Sequence, residues 1–136
     1  MRENKSTAEA KDPTVKAFIE GLRLLEQNES STQILEQFAD NCTVGNVQLD
    51  TALEGIEGAK RYWQDYRHTF SDIRSTFDRI TEAGQLAVLE WTSTGTLKTG
   101  RHISYRGISI LTISDNRITD FMAYFDSRHL TAHLHL

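Results

Sequence analysis

The stretch from Arg106 to Asp126 constrains the fold of this chain more than any other part of the sequence. Two runs rich in Ile, Thr, Phe and Tyr flank the polar tripeptide Ser114-Asp115-Asn116. Residues of these types favour strands, and a short polar cluster between two such runs is typical of a β-hairpin. Asn tolerates positive φ, so a three-residue loop with Asn116 in the left-handed region is expected. This loop pairs Ile113 with Arg117.

Side chains alternate between the two faces of such a hairpin. The predicted register sets Ser109 opposite Phe121 and Gly107 opposite Ala123. One face then carries Ile103, Tyr105, Gly107, Ser109, Leu111, Phe121, Ala123 and Phe125. The other carries His102, Ser104, Arg106, Ile108, Ile110, Met122, Tyr124 and Asp126. The first face is apolar but contains small residues, so it either packs closely against a helix or leaves a hollow.

Helical periodicity dominates the first half of the chain, and strand alternation dominates the second. Asp12-Pro13 predicts a helix start, and apolar residues recur at helical spacing up to about Gln27. A short second helix is predicted after Ser30, and a third begins at Gly55 to Gly58. A strand and a loop are predicted over residues 40–49, and strands over residues 72–82 and 85–97 and from Arg101 into the hairpin.

This order predicts an α+β fold, in which a curved antiparallel sheet wraps around three N-terminal helices as a cone with an internal pocket. Residues 12–130 form the predicted domain. Residues 1–11 are expected to be a flexible N-terminal arm, and residues 131–136 a C-terminal tail. A chain of 136 residues suits one domain with a sizeable core.

Composition argues against several classes of function. The net charge is −4 and no basic stripe is present, so no nucleic-acid partner is expected. No apolar run approaches the length of a transmembrane helix, and the first residues lack a signal-peptide core, so no membrane partner is expected. The single Cys42 excludes an internal disulfide and favours a reducing, cytoplasmic compartment. Without a phosphate-cradling loop or dinucleotide fingerprint, no cofactor is expected.

Three histidines near the C terminus, His129, His133 and His135, suggest a metal site because residues four apart share a helical face. A zinc site needs three or four rigidly held ligands, and no cysteine or further histidine lies at matching spacing. An exposed tail without a metal is therefore expected.

Three segments, EGIEGAKRYWQDYRHTFSDI, VLEWTSTGT and RGISILTISDNRITDFMAYFD, resemble a known family in their order and spacing. From roughly Pro13 to Leu130 the chain resembles the SnoaL-like branch of the nuclear transport factor 2-like superfamily. The resemblance implies a cone-shaped α+β fold, a pocket between sheet and helices, and frequent dimerisation through the outer sheet face. It implies no single activity, since relatives include polyketide cyclases, ketosteroid isomerases, limonene epoxide hydrolases and scytalone dehydratases.

The catalytic residues of these relatives carry over poorly. The tyrosine, general base and second acid of ketosteroid isomerases fall at about Leu22, Asn46 and Ser109. The Asp–Arg–Asp set of the epoxide hydrolases falls on Thr92, Glu90 and Ala123. The acid that cyclases draw from the last strand also falls on Ala123. Only Asn46 matches, at the place of a water-binding asparagine.

Glu90 is the remaining candidate acid or base. The inward parity assigned to its strand points Leu86, Val88, Glu90, Thr92 and Thr94 toward the helices, and Ala87, Leu89 and Trp91 outward. A carboxyl group buried among apolar side chains has a raised pKa, as general acid–base catalysis near neutrality requires. Alternatively, Glu90 pairs with a cation or a backbone donor and only shapes the cavity. Asn46 either orients substrate or water, or satisfies a turn.

The predicted ligand-binding residues are Trp63, Tyr66, Thr92, Tyr105, Ser109, Phe121 and Phe125. Their aromatic members either line a pocket or pack as plain core. A pocket of this kind suits a small hydrophobic molecule, cyclic or polyketide-like. Two functions remain open: a cofactor-free isomerase, cyclase, dehydratase or epoxide-hydrolase-like enzyme that uses Glu90 and Asn46, or a non-catalytic ligand-binding or dimerisation module.

The predicted outer sheet face carries more apolar area than a solvated sheet should expose. Its apolar members are Leu89, Trp91, Ile108, Ile110, Met122 and Tyr124. We therefore expect a homodimer through this face, with Trp91 central because buried Trp is a frequent interface anchor.

Overall fold

The computed structural model describes residues 8–131, with four helices and six strands in that range. The helices are α1 (Pro13–Glu26), α2 (Thr32–Glu36), α3 (Gly55–Thr69) and α4 (Arg128–Thr131). The strands are β1 (Phe38–Asn46), β2 (Leu53–Glu54), β3 (Phe70–Ala83), β4 (Leu86–Leu97), β5 (His102–Ser114) and β6 (Arg117–Phe125). His133, His135 and the side chain of His129 lie outside what is described. No helix in the described range is long and apolar enough to cross a membrane.

Helix α1 begins where the sequence predicts. Asp12 Oδ1 accepts hydrogen bonds from the backbone N–H groups of Thr14 (2.7 Å) and Val15 (3.3 Å), which satisfies two donors of the first turn. The helix packs closely against α2, because a Cβ on Gly21 would lie 2.6 Å from the backbone nitrogen of Ile34. Glycine at this position therefore sets the distance between the two helices.

The last residues of the predicted arm lie along β3. The Ala8 N–H donates to the carbonyl oxygen of Phe77 (2.7 Å), and the Lys11 N–H donates to a carboxylate oxygen of Glu82 (2.7 Å). Residues 8–11 are therefore held against the sheet.

The strands form one curved, open sheet in the order β2-β1-β6-β5-β4-β3. The predicted α+β class with a curved sheet around helices is confirmed. The sheet is mixed, however, because β1 pairs with β6 in parallel, with Val44 opposite Phe121. The other pairings are antiparallel, as predicted. The sequence pattern could not show the parallel pair, since its two strands lie far apart in the chain.

The β5–β6 hairpin exists, but its turn differs from the prediction. Asp115 (φ 53°) and Asn116 (φ 62°) are both left-handed, which is typical of a two-residue type I′ turn. Ser114 therefore pairs with Arg117, and a further one-residue shift follows between Thr112 and Ile113. The two shifts add up to two residues, so Ser109 lies opposite Ala123 instead of Phe121. Because a two-residue shift preserves parity, the predicted faces of this hairpin are correct.

The predicted parity of β4 is wrong. Trp91 pairs with Gly107 and Ser93 with Tyr105, and directly paired residues share a face. The inward residues of β4 are therefore Ala87, Leu89, Trp91 and Ser93, all buried. Leu86, Val88, Glu90, Thr92 and Thr94 point outward.

The hollow left by small residues on β5 accounts for this parity. A Cβ on Gly107 would lie 2.7 Å from atoms of the Trp91 ring, so only glycine leaves room for the indole there. The Trp91 Nε1–H donates to Ser109 Oγ at 2.9 Å. The hollow is therefore filled by Trp91 from the neighbouring strand.

Candidate functional site

A cavity of about 180 Å³ lies between α1, α3 and the inner face of the sheet. It is lined by Phe18, Leu22, Asn46, Gln48, Leu49, Leu53, Tyr62, Trp63, Asp65, Tyr66, Thr69, Phe70, Ser75, Phe77, Trp91, Ser93, Tyr105, Ser109, Phe121, Ala123, Phe125 and Leu130. Aromatic rings dominate this wall. Apolar cavities of roughly 150 Å³ can hold a benzene molecule. The cavity is therefore large enough for a small organic ligand.

The structure brings most of the predicted site residues to this cavity. Asn46, Trp63, Tyr66, Tyr105, Ser109, Phe121 and Phe125 all line it. The aromatic rings also pack against one another, so the same residues form both the core and the cavity wall. Trp63 lies 5.2 Å from Phe121 and 4.8 Å from Tyr62 between ring centroids, both edge to face. Such contacts stabilise the wall and fix the orientation of its rings.

Glu90 and Thr92 do not reach the cavity, because their strand has the opposite parity to that predicted. The Arg79 guanidinium forms a two-pronged hydrogen-bonded ion pair with the Glu90 carboxylate on the outer face, where the Glu90 side chain is 33% exposed. Thr92 Oγ1 donates to Asp78 Oδ2 at 2.7 Å, also outside. The structure therefore agrees with the alternative in which Glu90 pairs with a cation. This ion pair lies on the outer surface, however, and does not shape the cavity.

Asn46 forms hydrogen bonds both to the phenol of Tyr62 and to the backbone of the turn that follows it. Its Nδ2 donates to the Tyr62 hydroxyl oxygen at 3.1 Å, and its Oδ1 accepts from the Gln48 backbone N–H at 2.8 Å. The second bond is the turn-satisfying role considered for this residue. Asn46 thus positions Tyr62 at the cavity wall.

Two phenols at the cavity carry hydroxyl groups that donate to no other described residue. Burial raises the pKa of Tyr62 to about 12, although the hydrogen bond from Asn46 opposes this shift. Burial also raises the pKa of Tyr105, as do the nearby charges that Tyr62 and Glu26 can carry. Both side chains are therefore protonated at neutral pH. The Nε1–H of Trp63 is a further donor that is buried without a partner in the described range.

The sequence matches the model of the SnoaL-like domain over residues 15–121. The chain belongs to the SnoaL-like domain family. No functionally curated protein matches the sequence.

Several solved structures share this SnoaL-like fold. A proposed SnoaL-like polyketide cyclase from Jannaschia sp. CCS1 is 16% identical with a TM-score of 0.71, over 92% of this chain and 99% of that one. A hypothetical protein with a ketosteroid isomerase-like fold from Catenulispora acidiphila, in complex with trimethylamine, is 15% identical with a TM-score of 0.77, over 93% and 95%. An LEH-like epoxide hydrolase from M. tuberculosis is 22% identical with a TM-score of 0.67, over 90% and 87%. At these identities, the likeness establishes the fold alone.

The positions that the resemblance maps onto this SnoaL-like domain fall into two groups. Leu22, Asn46, Ser109 and Ala123 all line the cavity. Glu90 and Thr92 do not, since Trp91 is the residue of that segment that faces inward. The cavity therefore keeps most of the expected positions but not the expected carboxylates.

Glu26 is the buried acid that the sequence reasoning missed. It lies at the last position of α1 and is only 7% exposed. Its Oε2 accepts hydrogen bonds from the Tyr66 hydroxyl and the Ser75 hydroxyl, both at 2.6 Å, and its Oε1 accepts from the Ser75 backbone N–H at 2.9 Å. Ser75 Oγ also lies 2.6 Å from Ser93 Oγ. Because Tyr66, Ser75 and Ser93 line the cavity, this carboxylate lies one residue layer behind its wall.

A signal for Glu26 was present in the sequence. Leu22 belongs to the apolar stripe of α1, and Glu26 follows it by four residues, which places both on one helical face. The inward position of Ser93 carried no such signal, because it depends on the register of β4.

Proposed function

We propose that this SnoaL-like domain binds a small, mainly apolar molecule that presents an acceptor oxygen to the cavity. The observation that carries the proposal is the excess of donors in an apolar enclosure. The hydroxyl groups of Tyr62 and Tyr105 line the cavity and donate to no described residue. Unpaired polar groups in an apolar site favour a ligand that satisfies them.

Binding is supported better than acid–base turnover by the groups present. Among the described residues that line the cavity, the acid is Asp65, which is exposed on α3. Glu90, the predicted acid or base, lies on the opposite face of the sheet. The non-catalytic alternative raised by the sequence is therefore the function we propose.

Cyclohexanone, which offers one acceptor oxygen on an apolar ring, tests this function. We expect millimolar or tighter binding, followed through the intrinsic fluorescence of the two tryptophans, both of which line the cavity. Tyr105→Phe should weaken cyclohexanone binding about three- to tenfold, the usual net worth of one neutral hydrogen bond. Benzene, which lacks an acceptor oxygen, should bind both forms equally.

Tyr124→Phe is the matched control, because Tyr124 is 43% exposed on the outer face and does not line the cavity. It should leave both affinities unchanged. If neither cyclohexanone nor benzene binds at millimolar concentration, the binding function is wrong. If Tyr105→Phe binds cyclohexanone like the parent chain, the assignment of Tyr105 as a ligand donor is wrong.

We further propose a homodimer through the outer sheet face, with a centre different from the one expected. Leu89 and Trp91 are buried on the inner face and cannot contribute. A row of three apolar residues in register, Val88, Ile110 and Met122, crosses three strands instead. Ile108 and Tyr124 form the adjacent pair. Ile110 is therefore the expected centre of the interface.

Ile110→Lys is expected to convert the dimer to a monomer, because it buries a charge in an apolar interface. Light scattering after size-exclusion chromatography at tens of micromolar protein measures the change. Thr94→Lys, exposed on the same face toward the far end of β4, should leave the dimer intact. A parent chain that is already monomeric at this concentration would contradict the dimer.

A further inference from the structure

We propose that the ligand of the cavity is a small cation, with a tertiary or quaternary ammonium group on an apolar body, because Glu26 places a carboxylate behind the cavity wall. This inference rests on the binding function proposed above and names the chemical class of the ligand. The oxygen of this ligand would accept hydrogen bonds from the phenols of Tyr62 and Tyr105. Its ammonium group would lie near the wall formed by Tyr66 and Ser75.

The hydrogen bonds around Glu26 favour the ionised carboxylate. It accepts from the Tyr66 hydroxyl, the Ser75 hydroxyl and the Ser75 backbone N–H. Hydrogen bonds from neighbouring donors stabilise the ionised form of a carboxyl group. All three donors are neutral, and no ion pair joins Glu26 to a cation within residues 8–131. Within the described part of the chain, the charge of an ionised Glu26 is therefore balanced by no cation.

An uncompensated charge acts over several ångströms in such a place, because the surrounding apolar groups screen it weakly. The oxygens of Tyr66 and Ser75 separate Glu26 from the cavity. A ligand cation would thus contact the hydroxyl oxygens and be attracted electrostatically by the carboxylate behind them. A neutral ligand of the same shape would gain none of this attraction.

The aromatic wall favours the same class of ligand. Trp63, Tyr66, Trp91 and Tyr105 line the cavity, and Tyr66 itself donates a hydrogen bond to Glu26. The Trp91 and Tyr105 centroids lie 5.3 Å apart, and those of Trp63 and Tyr66 lie 5.7 Å apart. The π faces of such rings attract cations, and methylated ammonium groups are typical ligands of aromatic cages.

Choline and 3,3-dimethylbutan-1-ol test the inference, because they share one shape and differ in the charged nitrogen. Calorimetric titration of the full chain with each probe, at neutral pH and low salt, gives the ratio of their affinities. We expect choline to bind at least tenfold more tightly. Equal affinity, or tighter binding of the alcohol, would overturn the inference even in the parent chain alone.

Glu26→Gln removes the charge and keeps the shape. Its amide nitrogen can donate to the hydroxyl oxygens of Tyr66 and Ser75, while its oxygen still accepts from the Ser75 N–H. The preference for choline should fall to about one, with the affinity for the alcohol retained. Glu90→Gln, which removes one carboxylate from the outer face, is the matched control and should keep the full preference.

The outcomes separate this inference from the function on which it rests. Binding of the alcohol without a preference for choline overturns the cationic ligand alone. A preference that survives in Glu26→Gln also overturns it, because the charge would then lie elsewhere. Failure of both probes to bind overturns the binding function as well.

Discussion

Raising the pH from 10 to 12 is expected to unfold this protein steeply. Three of its four tyrosines, Tyr62, Tyr66 and Tyr105, line the cavity with pKa values raised by burial. For Tyr66, the nearby Glu26 charge and the hydrogen bond to Glu26 raise the pKa further. An unfolded tyrosine loses its proton near pH 10, whereas Tyr62 keeps its proton to about 12.

The direction of the change in stability with pH follows from the number of protons bound in the folded and unfolded states. Between these pH values the unfolded state binds fewer protons than the folded state, so stability falls as the pH rises. Each raised tyrosine contributes about 1.4 kcal/mol per pH unit, so the three together remove about 4 kcal/mol per unit above pH 10. The full slope holds only between the unfolded and folded pKa values, so the two pH units together remove roughly 6 kcal/mol, which is comparable to the whole stability of a typical domain.

Urea unfolding at a series of pH values from 9 to 12 measures this slope. Tyr105→Phe should reduce the slope by about one third, because it removes one of the three groups. Tyrosinate absorbance should rise together with the loss of structure. A buried tyrosine that ionises near pH 10 while the fold persists would contradict the assignment.

The predicted faces of the β5–β6 hairpin are correct although its predicted register is wrong at two places. The turn contains two residues instead of three, and a one-residue shift follows near Thr112. Their sum is even, so the alternation of side chains was preserved. Alternation along one continuous hairpin is local information, and the sequence carries it directly.

The parity of β4 is not local information, because it depends on how β4 pairs with β5. Val88, Glu90 and Thr92 alternate with Leu89, Trp91 and Ser93, and both sets contain apolar and polar members. The set with Leu89 and Trp91 is the more apolar, so hydrophobicity favoured the observed parity, but the expected dimer interface offered these residues a second place to be buried. The choice was made by the space above Gly107, which accepts the Trp91 ring. Such complementarity becomes visible only when the two strands are placed side by side.

Glu26 was missed for a related reason. A glutamate at the end of an amphipathic helix normally lies in solvent, since a buried carboxylate needs several donors. Here these donors come from α3 and β3, at Tyr66 and Ser75, which are far from Glu26 in the chain. The sequence placed Glu26 on the apolar face of α1 but could not supply its partners. The cavity wall was thus predicted, and the charge behind it was not.

Replacing Glu26 by alanine is expected to lower the free energy of unfolding by about 4 kcal/mol. Alanine leaves the Ser75 N–H and the Tyr66 O–H without an acceptor, and each stranded buried donor costs about 1–3 kcal/mol. The Ser75 hydroxyl keeps a partner, because Ser93 Oγ lies 2.6 Å away. The loss therefore comes mainly from two donors on two different elements, β3 and α3.

Glu26→Gln is the control that separates hydrogen bonding from charge, and urea unfolding at pH 7 measures both variants. Glutamine can keep a hydrogen bond to the same three groups, although its bonds to the two hydroxyl groups are reversed, so its cost should stay within about 1.5 kcal/mol. Removing a buried charge also relieves its desolvation, which works in the same direction for both variants. If alanine and glutamine destabilise equally, charge and not hydrogen bonding dominates at this position. If neither destabilises the fold, Glu26 does not hold α1, α3 and β3 together, because water entering from the cavity satisfies the donors that it leaves.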